Sequence, residues 1–287
     1  MRVLLFGNAK ASILTLRGLL ENGHDVLAIA PPGGRGHDWH DSLMDECTRL
    51  GTKCYDLEDP NCSDSVRMFM EYNPDIILST LYTIILSEDV ISSAKHAVNF
   101  HPSLLPSYRG TAPLIWAIVE GERETGVTAH RMEKRVDCGE VFARSRIPIN
   151  PGDTGFDLHN KAALEIYKLA MEVIDLFERE ELHPIESLDL PESLYSSSVK
   201  RINLLDPSRQ TVRKIGDIVR ALAPPLPCAW LETEDGRLLV KSVLPVSDSD
   251  ANQITILADG GNTVSFDGSR YLIAYDGILR VSDCELQ

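Results

Sequence analysis

Apolar residues in the first third of the chain occur in two kinds of segment. Residues 2–7, 25–30 and 75–80 are short, nearly continuous apolar runs, whereas residues 12–23 carry apolar side chains at helical spacing and end at a glycine. Short continuous runs are typical of strands buried on both faces, and the spaced segment predicts a helix. This alternation predicts an α/β fold, a Rossmann-like, mostly parallel sheet with helices on both faces.

The middle of the chain continues the sheet and predicts one long helix. AVNFH at 97–101 predicts a further strand, and GVTAHRM at 126–132 with EVFARSRIPI at 140–149 predicts two paired strands. Thr154 and Asp157 then have the spacing of a capping box at a helix start. The helix that follows carries an apolar stripe typical of core packing. The stripe consists of Leu158, Ala162, Ile166, Ala170, Val173 and Phe177.

The pattern changes after about residue 190 to Pro, Ser and Asp, and then to β-rich sequence. TVRKIGDIVRAL at 211–222 predicts one helix, and repeated D-G and G-G turns separate the short apolar runs after it. Such turns indicate a small antiparallel sheet or barrel. The predicted strands lie at 228–234, 237–246, 253–258, 263–266, 269–275 and 278–282. We therefore expect a first domain over 1–190, a linker over 191–207 and a small, β-rich, OB-like domain over 208–287.

Composition narrows the classes of partner. The chain has 287 residues and a net charge of −15, which argues against a nucleic-acid partner, since such proteins grip phosphates with a basic face. No apolar run approaches the roughly 20 residues of a membrane span, and the N-terminus lacks a signal-peptide pattern. We therefore expect a cytoplasmic protein with no membrane association.

The cysteines and the first turn argue against resident cofactors. The six cysteines are scattered without a C-x-x-C pair, which favours free thiols over disulfides or a zinc site. GNAKAS, residues 7–12, stands where a dinucleotide fingerprint would stand but lacks G-x-G-x-x-G. Cys138 could be mistaken for a nucleophile, although a small residue at a tight turn explains it equally well. We expect neither a metal nor a nicotinamide cofactor.

Asn99, His101 and Asp137 are the candidate chemical groups. Asn99 and His101 alternate along one predicted strand, so both side chains point to the same side at its C-terminal end, where α/β sheets bind ligands. An amide donor, an imidazole and a carboxylate can manage a tetrahedral acyl-transfer intermediate without an enzyme nucleophile. Each residue also has a structural explanation: a core amide, a strand-terminal histidine and a backbone-capping aspartate.

Three segments around these residues resemble the family of transferases that use 10-formyltetrahydrofolate as a one-carbon donor. They are N-x-H-P-S-L-L-P-x-Y-R-G at 99–110, T-G-V-T-x-H at 125–130 and D-x-G at 137–139. The resemblance is strong over roughly residues 75–170. R-A-L-A-P-P-L-P at 220–227 is also similar to the C-terminal domain of the tRNA and nucleotide-sugar branches of that family.

The resemblance implies roles for individual residues. Asn99, His101 and Asp137 would be catalytic, with Asn99 and His101 on the oxyanion and Asp137 keeping His101 charged. Ser103, Thr128 and His130 would support them, although His130 also suits an ordinary polar position at a strand end. The folate pocket would involve Leu81, Tyr82, Thr83, Ile85, Leu86, Met132, Glu133, Lys134 and Val136, while plain core packing also suits the apolar residues at 81–86.

Charge then separates the branches of the family. Residues 205–287 contain 8 Lys/Arg and 12 Asp/Glu, a net charge of −4, and the loop PPGGRGHDWHDS at 31–42 holds one Arg and two Asp. Because a tRNA clamp needs basic surfaces, we expect a small amine acceptor, an amino sugar carried on a nucleotide. Methionyl-tRNA formylation, a formyltetrahydrofolate hydrolase and a silent folate-binding protein are the alternatives. A homodimer is also expected.

Overall fold

The computed structural model forms two compact units. It describes residues 1–33, 42–188, 202–247, 250–251, 254 and 262–287. The first unit comprises Met1–Gly110, Glu124–Pro148 and His159–Leu194, and the second comprises Thr111–Arg123, Ile149–Leu158 and Tyr195–Gln287. The predicted linker lies largely outside the described residues. No helix in the described part of the chain combines the length and apolar character needed to cross a membrane.

A seven-stranded mixed sheet organises the first unit, in the order β3-β2-β1-β4-β5-β6-β7. The strands are β1 (Arg2–Gly7), β2 (Asp25–Ala30), β3 (Cys54–Asp56), β4 (Ile76–Thr80), β5 (His96–His101), β6 (Glu124–Arg131) and β7 (Val141–Pro148). The first five are parallel, and β6 and β7 join in antiparallel fashion. The predicted α/β fold with a mostly parallel sheet is confirmed.

Helices lie between these strands and after them along the chain, and capping residues fix several of their ends. They are α1 (Ala9–Glu21), α2 (Leu43–Leu50), α3 (Ser63–Tyr72), α4 (Glu88–Ile91), α5 (Pro113–Val119), α6 (Gly155–Glu178) and α7 (Val212–Ala221). At the start of α6, the Asp157 amide donates to Thr154 Oγ1 at 3.1 Å and the Thr154 amide donates to Asp157 Oδ2 at 2.9 Å. The predicted capping box is confirmed, and satisfies amides that a helix start otherwise leaves unpaired.

The core of the first unit lies against the parallel part of the sheet. Its main cluster combines strand residues with side chains from α3, α4 and the loop before α4. The cluster consists of Leu4, Phe6, Leu27, Ile29, Phe69, Ile77, Leu86, Val90 and Ala97. The predicted stripe on α6 is buried from Leu158 to Val173, and Phe177 is half-buried. These residues therefore serve packing, as their helical spacing predicts.

The second unit contains a five-stranded antiparallel sheet in the order β10-β11-β12-β9-β8. The strands are β8 (Ala229–Thr233), β9 (Gly236–Pro245), β10 (Thr263–Phe266), β11 (Ser269–Ala274) and β12 (Gly277–Leu286). The β10–β11 turn has Asp267 at φ 48° and Gly268 at φ 70°, the left-handed pair that a tight hairpin requires. The predicted small β-rich fold is confirmed.

The prediction of a strand at 253–258 is wrong at Ile254, the one residue of this segment that the structure describes. Ile254 is helical, as are Asp250 and Ala251, and the other residues of that segment lie outside the described part. Ser247 Oγ donates to Asp250 Oδ2 at 2.8 Å and the Ala251 amide donates to the Ser247 carbonyl at 3.0 Å, which starts a helical turn. A short apolar run does not by itself distinguish a strand from a buried helical segment.

Glu46 on α2 is expected to contribute to stability in a pH-dependent way. It is buried and lies 2.6 Å from both Arg17 Nε and Arg49 Nη2. These hydrogen bonds lower the pKa of Glu46 to about 2 from an ordinary 4.5. We expect Glu46→Gln to lower the free energy of unfolding at pH 7 by about 1–3 kcal/mol.

This contribution should depend on pH with a defined sign. A lowered pKa gives stability that is complete above pH 4.5 and is lost as the pH falls toward 2. Denaturant unfolding of both proteins should therefore show a difference that vanishes near pH 2. Asp64→Asn breaks a fully exposed pair with Arg67 and serves as the control, with an expected change below about 0.5 kcal/mol. A difference that persists at low pH would contradict the assignment.

Candidate active site

The register of β5 and β6 places two sequence motifs opposite each other. Asn99 pairs with His130 and His101 pairs with Thr128. The Asn99 Nδ2 atom lies 3.1 Å from His130 Nε2. Because side chains repeat every two residues along a strand, alternate residues of N-x-H and T-x-H share one face of the sheet. The two motifs therefore form one polar cluster.

Asp137 joins this cluster from the loop between β6 and β7. Its Oδ2 atom lies 3.5 Å from His101 Nδ1 and accepts a hydrogen bond of 3.0 Å from the Gly110 amide, and its Oδ1 atom lies 3.5 Å from His130 Nε2. Asp137 is buried, with φ 52°. The structure thus brings Asn99, His101 and His130 together near the carboxylate of Asp137.

His130 orients the Asn99 amide. Its Nδ1 atom lies 2.8 Å from the Arg131 carbonyl, which can only accept, so Nδ1 carries a proton. In a neutral ring, Nε2 then accepts from the Asn99 amide nitrogen. That contact fixes which end of the amide faces His130, and leaves Asn99 a second N–H with which to donate.

His101 has both ring nitrogens directed at protein groups. Nε2 lies 2.9 Å from the Tyr108 carbonyl and therefore donates to it, while Nδ1 faces Asp137. Tyr108 adopts a left-handed conformation with φ 56°, which turns its carbonyl toward the ring. This geometry makes Nδ1 the nitrogen that can gain and lose a proton.

Asp137 raises the pKa of His101, as expected, but it does not keep the ring charged. Burial lowers the pKa of His101 by more than the Asp137 charge and the hydrogen bond to Tyr108 raise it. A cation of this size loses more hydration inside the sheet than one carboxylate at 3.5 Å returns. His101 is therefore neutral near pH 7 in the free protein, ready to accept a proton on Nδ1.

Asp137 remains ionised despite its burial. Burial alone would raise the pKa of this carboxyl group, but His130 and His101 in their protonated forms, through a hydrogen bond from His130 and the charges of both rings, hold it below its usual range. The Gly110 amide adds to this effect. The site therefore contains a buried carboxylate beside two imidazoles.

Thr128 and Ser103 hold the segment that follows β5. Thr128 Oγ1 donates to the Ser103 carbonyl at 2.7 Å and accepts from the Leu105 amide at 3.0 Å. Ser103 Oγ donates to the Ser107 carbonyl at 2.6 Å. Both side chains therefore fix the path of the chain toward Tyr108 and do not approach Asp137 themselves.

Arg109 is a contributor that sequence reasoning missed. Its buried guanidinium donates to the Val136 carbonyl at 3.0 Å and contacts Cys138 Sγ at 2.6 Å. It therefore ties the segment after β5 to the loop that carries Asp137. An arginine inside the motif S-Y-R-G was the available signal, because a buried arginine needs partners. The Cys138 thiol also donates to the Val136 carbonyl at 3.1 Å, a structural position.

The residues expected to bind folate fall into two groups. Leu86 belongs to the core, and Tyr82 and Met132 pack against that same cluster. Thr83, Ile85, Glu133 and Lys134 are exposed, and Lys134 lies 3.4 Å from Glu88. Leu81 and Val136 are half-buried, and Leu81 has φ 57°.

Asn61 fixes the main chain next to these residues. Its Nδ2 donates to the Ile85 carbonyl at 2.9 Å, and its Oδ1 accepts from the Ser87 amide at 2.7 Å. Ile85 itself is 68% exposed, an unusual position for a large apolar side chain. The loop thus presents an exposed apolar side chain on a main chain that a side-chain amide holds in place.

Gly139 keeps the Asp137 loop close to β6. A Cβ atom at this position would lie 2.0 Å from the Arg131 carbonyl oxygen, so Gly139→Ala must displace the loop. We expect kcat to fall about 100-fold, the cost of a misplacement near 1 Å. Gly152→Ala, where an added Cβ meets nothing within 4 Å, is the control and should retain activity. Full activity in Gly139→Ala would show that the loop tolerates the shift.

Comparison with known proteins places this arrangement in a family. Residues 52–174 match the family described as formyl transferase. A methionyl-tRNA formyltransferase from Agathobacter rectalis is 30% identical over 259 residues, which cover 87% of this chain and 82% of that protein.

Solved structures share the fold at lower identity. An N-formyltransferase from Helicobacter canadensis, in complex with folinic acid and dTDP-3-aminofucose, has a TM-score of 0.74 and 19% identity over 99% of both chains. HypX from Aquifex aeolicus has a TM-score of 0.70 and 18% identity; the match covers all of this chain and 44% of HypX. The family match over residues 52–174 and the Agathobacter rectalis relative show that the chain belongs to the formyl transferase family.

Proposed function

We propose that this formyltransferase moves a formyl group from 10-formyltetrahydrofolate to the amine of a small molecule, a nucleotide-linked amino sugar. The observation that carries the chemistry is the buried cluster of Asn99, His101, His130 and Asp137. It offers an amide donor and a proton acceptor, and it includes no serine, threonine or cysteine that would attack the formyl carbon. Direct attack by the acceptor amine on the formyl carbon suits these groups.

The proposed reaction needs stabilisation of one oxyanion. As the amine nitrogen bonds to the formyl carbon, the carbonyl oxygen gains negative charge, and the free N–H of Asn99 donates to it. A well-placed donor of this kind contributes about 3–4 kcal/mol. His101 could add a second donor only if its Nε2–H left the Tyr108 carbonyl, which it contacts at 2.9 Å.

The same reaction moves one proton. The attacking amine becomes an ammonium in the tetrahedral intermediate, and its proton passes to His101 Nδ1 or, through water, to Asp137. Cleavage of the bond between the formyl carbon and N10 of the folate then returns a proton to N10. Asp137 faces His101 Nδ1 at 3.5 Å and stabilises the transient imidazolium.

The folate is proposed to lie against the loop over residues 81–87. Asn61 holds the main chain of this loop, which suits reading of a pterin by carbonyl and amide groups. The half-buried ring of Tyr82 and the half-buried thioether of Met132 offer an apolar wall for the pterin. Glu133, Lys134 and Val136 are proposed to contact the folate from the β6–β7 loop.

Charge supports a small acceptor. The net charge of −15, and of −4 in residues 205–287, opposes binding of a polyanion. The Helicobacter canadensis N-formyltransferase, which has the same fold, was solved in complex with dTDP-3-aminofucose. Methionyl-tRNA formylation is the second candidate, because the Agathobacter rectalis relative with that name matches 87% of this chain.

An acceptor screen tests the proposal. The protein is mixed with 10-formyltetrahydrofolate, and tetrahydrofolate release is followed with nucleotide-linked amino sugars, with methionyl-tRNA, or with no acceptor. We expect tetrahydrofolate to be released only when a nucleotide-linked amino sugar is the acceptor. Turnover confined to methionyl-tRNA would contradict the proposal of an amino-sugar acceptor. Equal release of tetrahydrofolate without any acceptor would indicate a hydrolase.

A further inference from the structure

Three sulfur atoms converge on one side of α2, away from the catalytic cluster. Met44 and Cys47 are one helical turn apart on α2, and Cys54 lies on the neighbouring edge strand β3. The Cys54 thiol donates to Met44 Sδ at 3.1 Å. The Cys47 thiol forms a side-chain hydrogen bond with Cys54, whose sulfur accepts. None of the three residues has a role in the proposed formyl transfer.

The backbone around these sulfurs is fixed by several hydrogen bonds. Ser42 caps the start of α2, and Gly51 ends the helix in a left-handed conformation with φ 68°. The Thr52 amide then donates to the Cys47 carbonyl at 3.0 Å, which turns the chain back along the helix. Cys54 pairs with Ala28 in the sheet. The relative position of the two cysteines therefore follows from the fold.

Access to the sulfurs is one-sided. Cys47 is 1% exposed, whereas Met44 and Cys54 are half-buried, so a small solute can reach the cluster from solvent. Met44 and Cys47 face the same way because residues three apart on a helix are neighbours. All three side chains thus point to a shared position at the edge of the sheet.

We propose that Met44, Cys47 and Cys54 form a binding site for one thiophilic monovalent metal ion of the copper(I) class. Thiolates and thioethers are soft ligands, which select such ions over magnesium, calcium and other oxygen-preferring metals. Among the described residues no group of three His, Cys, Asp or Glu could hold a metal, and in the proposed site the third ligand is the Met44 thioether. Zinc, which prefers four nitrogen or sulfur ligands, fits less well.

The ligand atoms need only a small adjustment. Metal–thiolate bonds are about 2.3 Å, so three sulfurs around one ion would lie about 4 Å apart. The 3.1 Å separation of Cys54 Sγ and Met44 Sδ must therefore open by about an ångström. Methionine has three rotatable bonds and allows such a shift without a change in the backbone.

Binding balances in charge and protons. One monovalent ion replaces the protons of the Cys47 and Cys54 thiols, and two protons pass to solvent while the Met44 thioether stays neutral. No sulfur changes its oxidation state in this step.

Anaerobic competition for copper(I) tests the site. The full-length protein is titrated into the copper(I) complex of bicinchoninate, and loss of the coloured complex is recorded. We expect one equivalent of copper to be withdrawn per chain, with three sulfur neighbours in X-ray absorption. Met44→Leu should weaken binding by about tenfold or more and leave two sulfurs.

Matched variants make the result decisive. Cys54→Ser, at a half-buried position, should abolish uptake, and circular dichroism confirms that it folds. Cys62→Ser, at an exposed cysteine elsewhere, should leave uptake unchanged. Uptake that survives Cys54→Ser, uptake of zinc in preference to copper, or a Cys47–Cys54 disulfide formed with glutathione disulfide and no copper uptake would each overturn the proposal. Formyl transfer by metal-free protein is measured in parallel and does not bear on it.

Discussion

Replacing Asp137 by asparagine is expected to lower kcat by about 10²–10⁴-fold while the protein stays folded. Asparagine has the same shape, and its side-chain oxygen can still accept from the Gly110 amide, which contacts Asp137 at 3.0 Å. What it removes is the buried negative charge that faces His101 and His130. The imidazolium that forms during proton transfer then lacks its counter-ion.

The measurement combines kinetics with the titration of one histidine. Steady-state rates across pH should show a lower kcat in Asp137→Asn with little change in KM for the folate. Nuclear magnetic resonance of labelled histidine should show that the pKa of His101, already below its ordinary 6.5 through burial, falls further in the variant. Its neutral ring should carry the proton on Nε2, which donates to Tyr108.

Two results would contradict this account. An unchanged His101 pKa in Asp137→Asn would mean that the two groups do not interact, and a neutral ring protonated on Nδ1 would remove the proposed proton acceptor. Asp175→Asn is the control for a lost carboxylate, since Asp175 on α6 forms an exposed pair with Arg179. It should leave kcat and the His101 titration unchanged.

Asn99→Ala is expected to lower kcat by about 10²–10³-fold, because it removes the direct donor to the oxyanion. Asn99→Asp should be at least as inactive, since a carboxylate would repel the developing charge on the oxyanion. Folate binding, measured by calorimetry with a stable formyl analogue, should change little in either variant. The effect should therefore appear in kcat rather than in KM.

Asn22→Ala is the matched control for loss of an asparagine amide. Asn22 donates to the Gly18 carbonyl at the end of α1 and has no contact with the catalytic cluster. It should retain activity. If Asn99→Ala also retained its rate, the amide would be a satisfied core group, and the oxyanion would need a different donor.

The sequence predicts the strands and the shared face of the candidate residues Asn99 and His101, because both follow from short-range regularities. Buried strands appear as continuous apolar runs, and alternation along β5 places Asn99 and His101 on one face. The left-handed conformation of Tyr108 and its carbonyl contact with His101 are not visible in this way, because any residue type supplies a carbonyl. The direction of the His101 pKa also depends on burial, which only the packed structure defines.

The second unit shows a different limit. Apolar runs and D-G turns predict its sheet, but the run that contains Ile254 has the same composition as a strand and is helical at that residue. The unit also includes Thr111–Arg123 and Ile149–Leu158, which are far from its sheet in sequence. Long-range association of this kind leaves no local signal in composition or periodicity.

The pairing of Asn99 with His130 sets a rule for which changes in length this protein tolerates. Within the connection between the two strands, residues 103–110 make contacts that hold the site, so we expect changes in length to be tolerated only after Gly110. One residue inserted within β6 before His130, by contrast, would turn that side chain to the opposite face of the sheet. The number of residues from the start of β6 to His130 is therefore a more stringent constraint than the number of residues between Gly110 and β6.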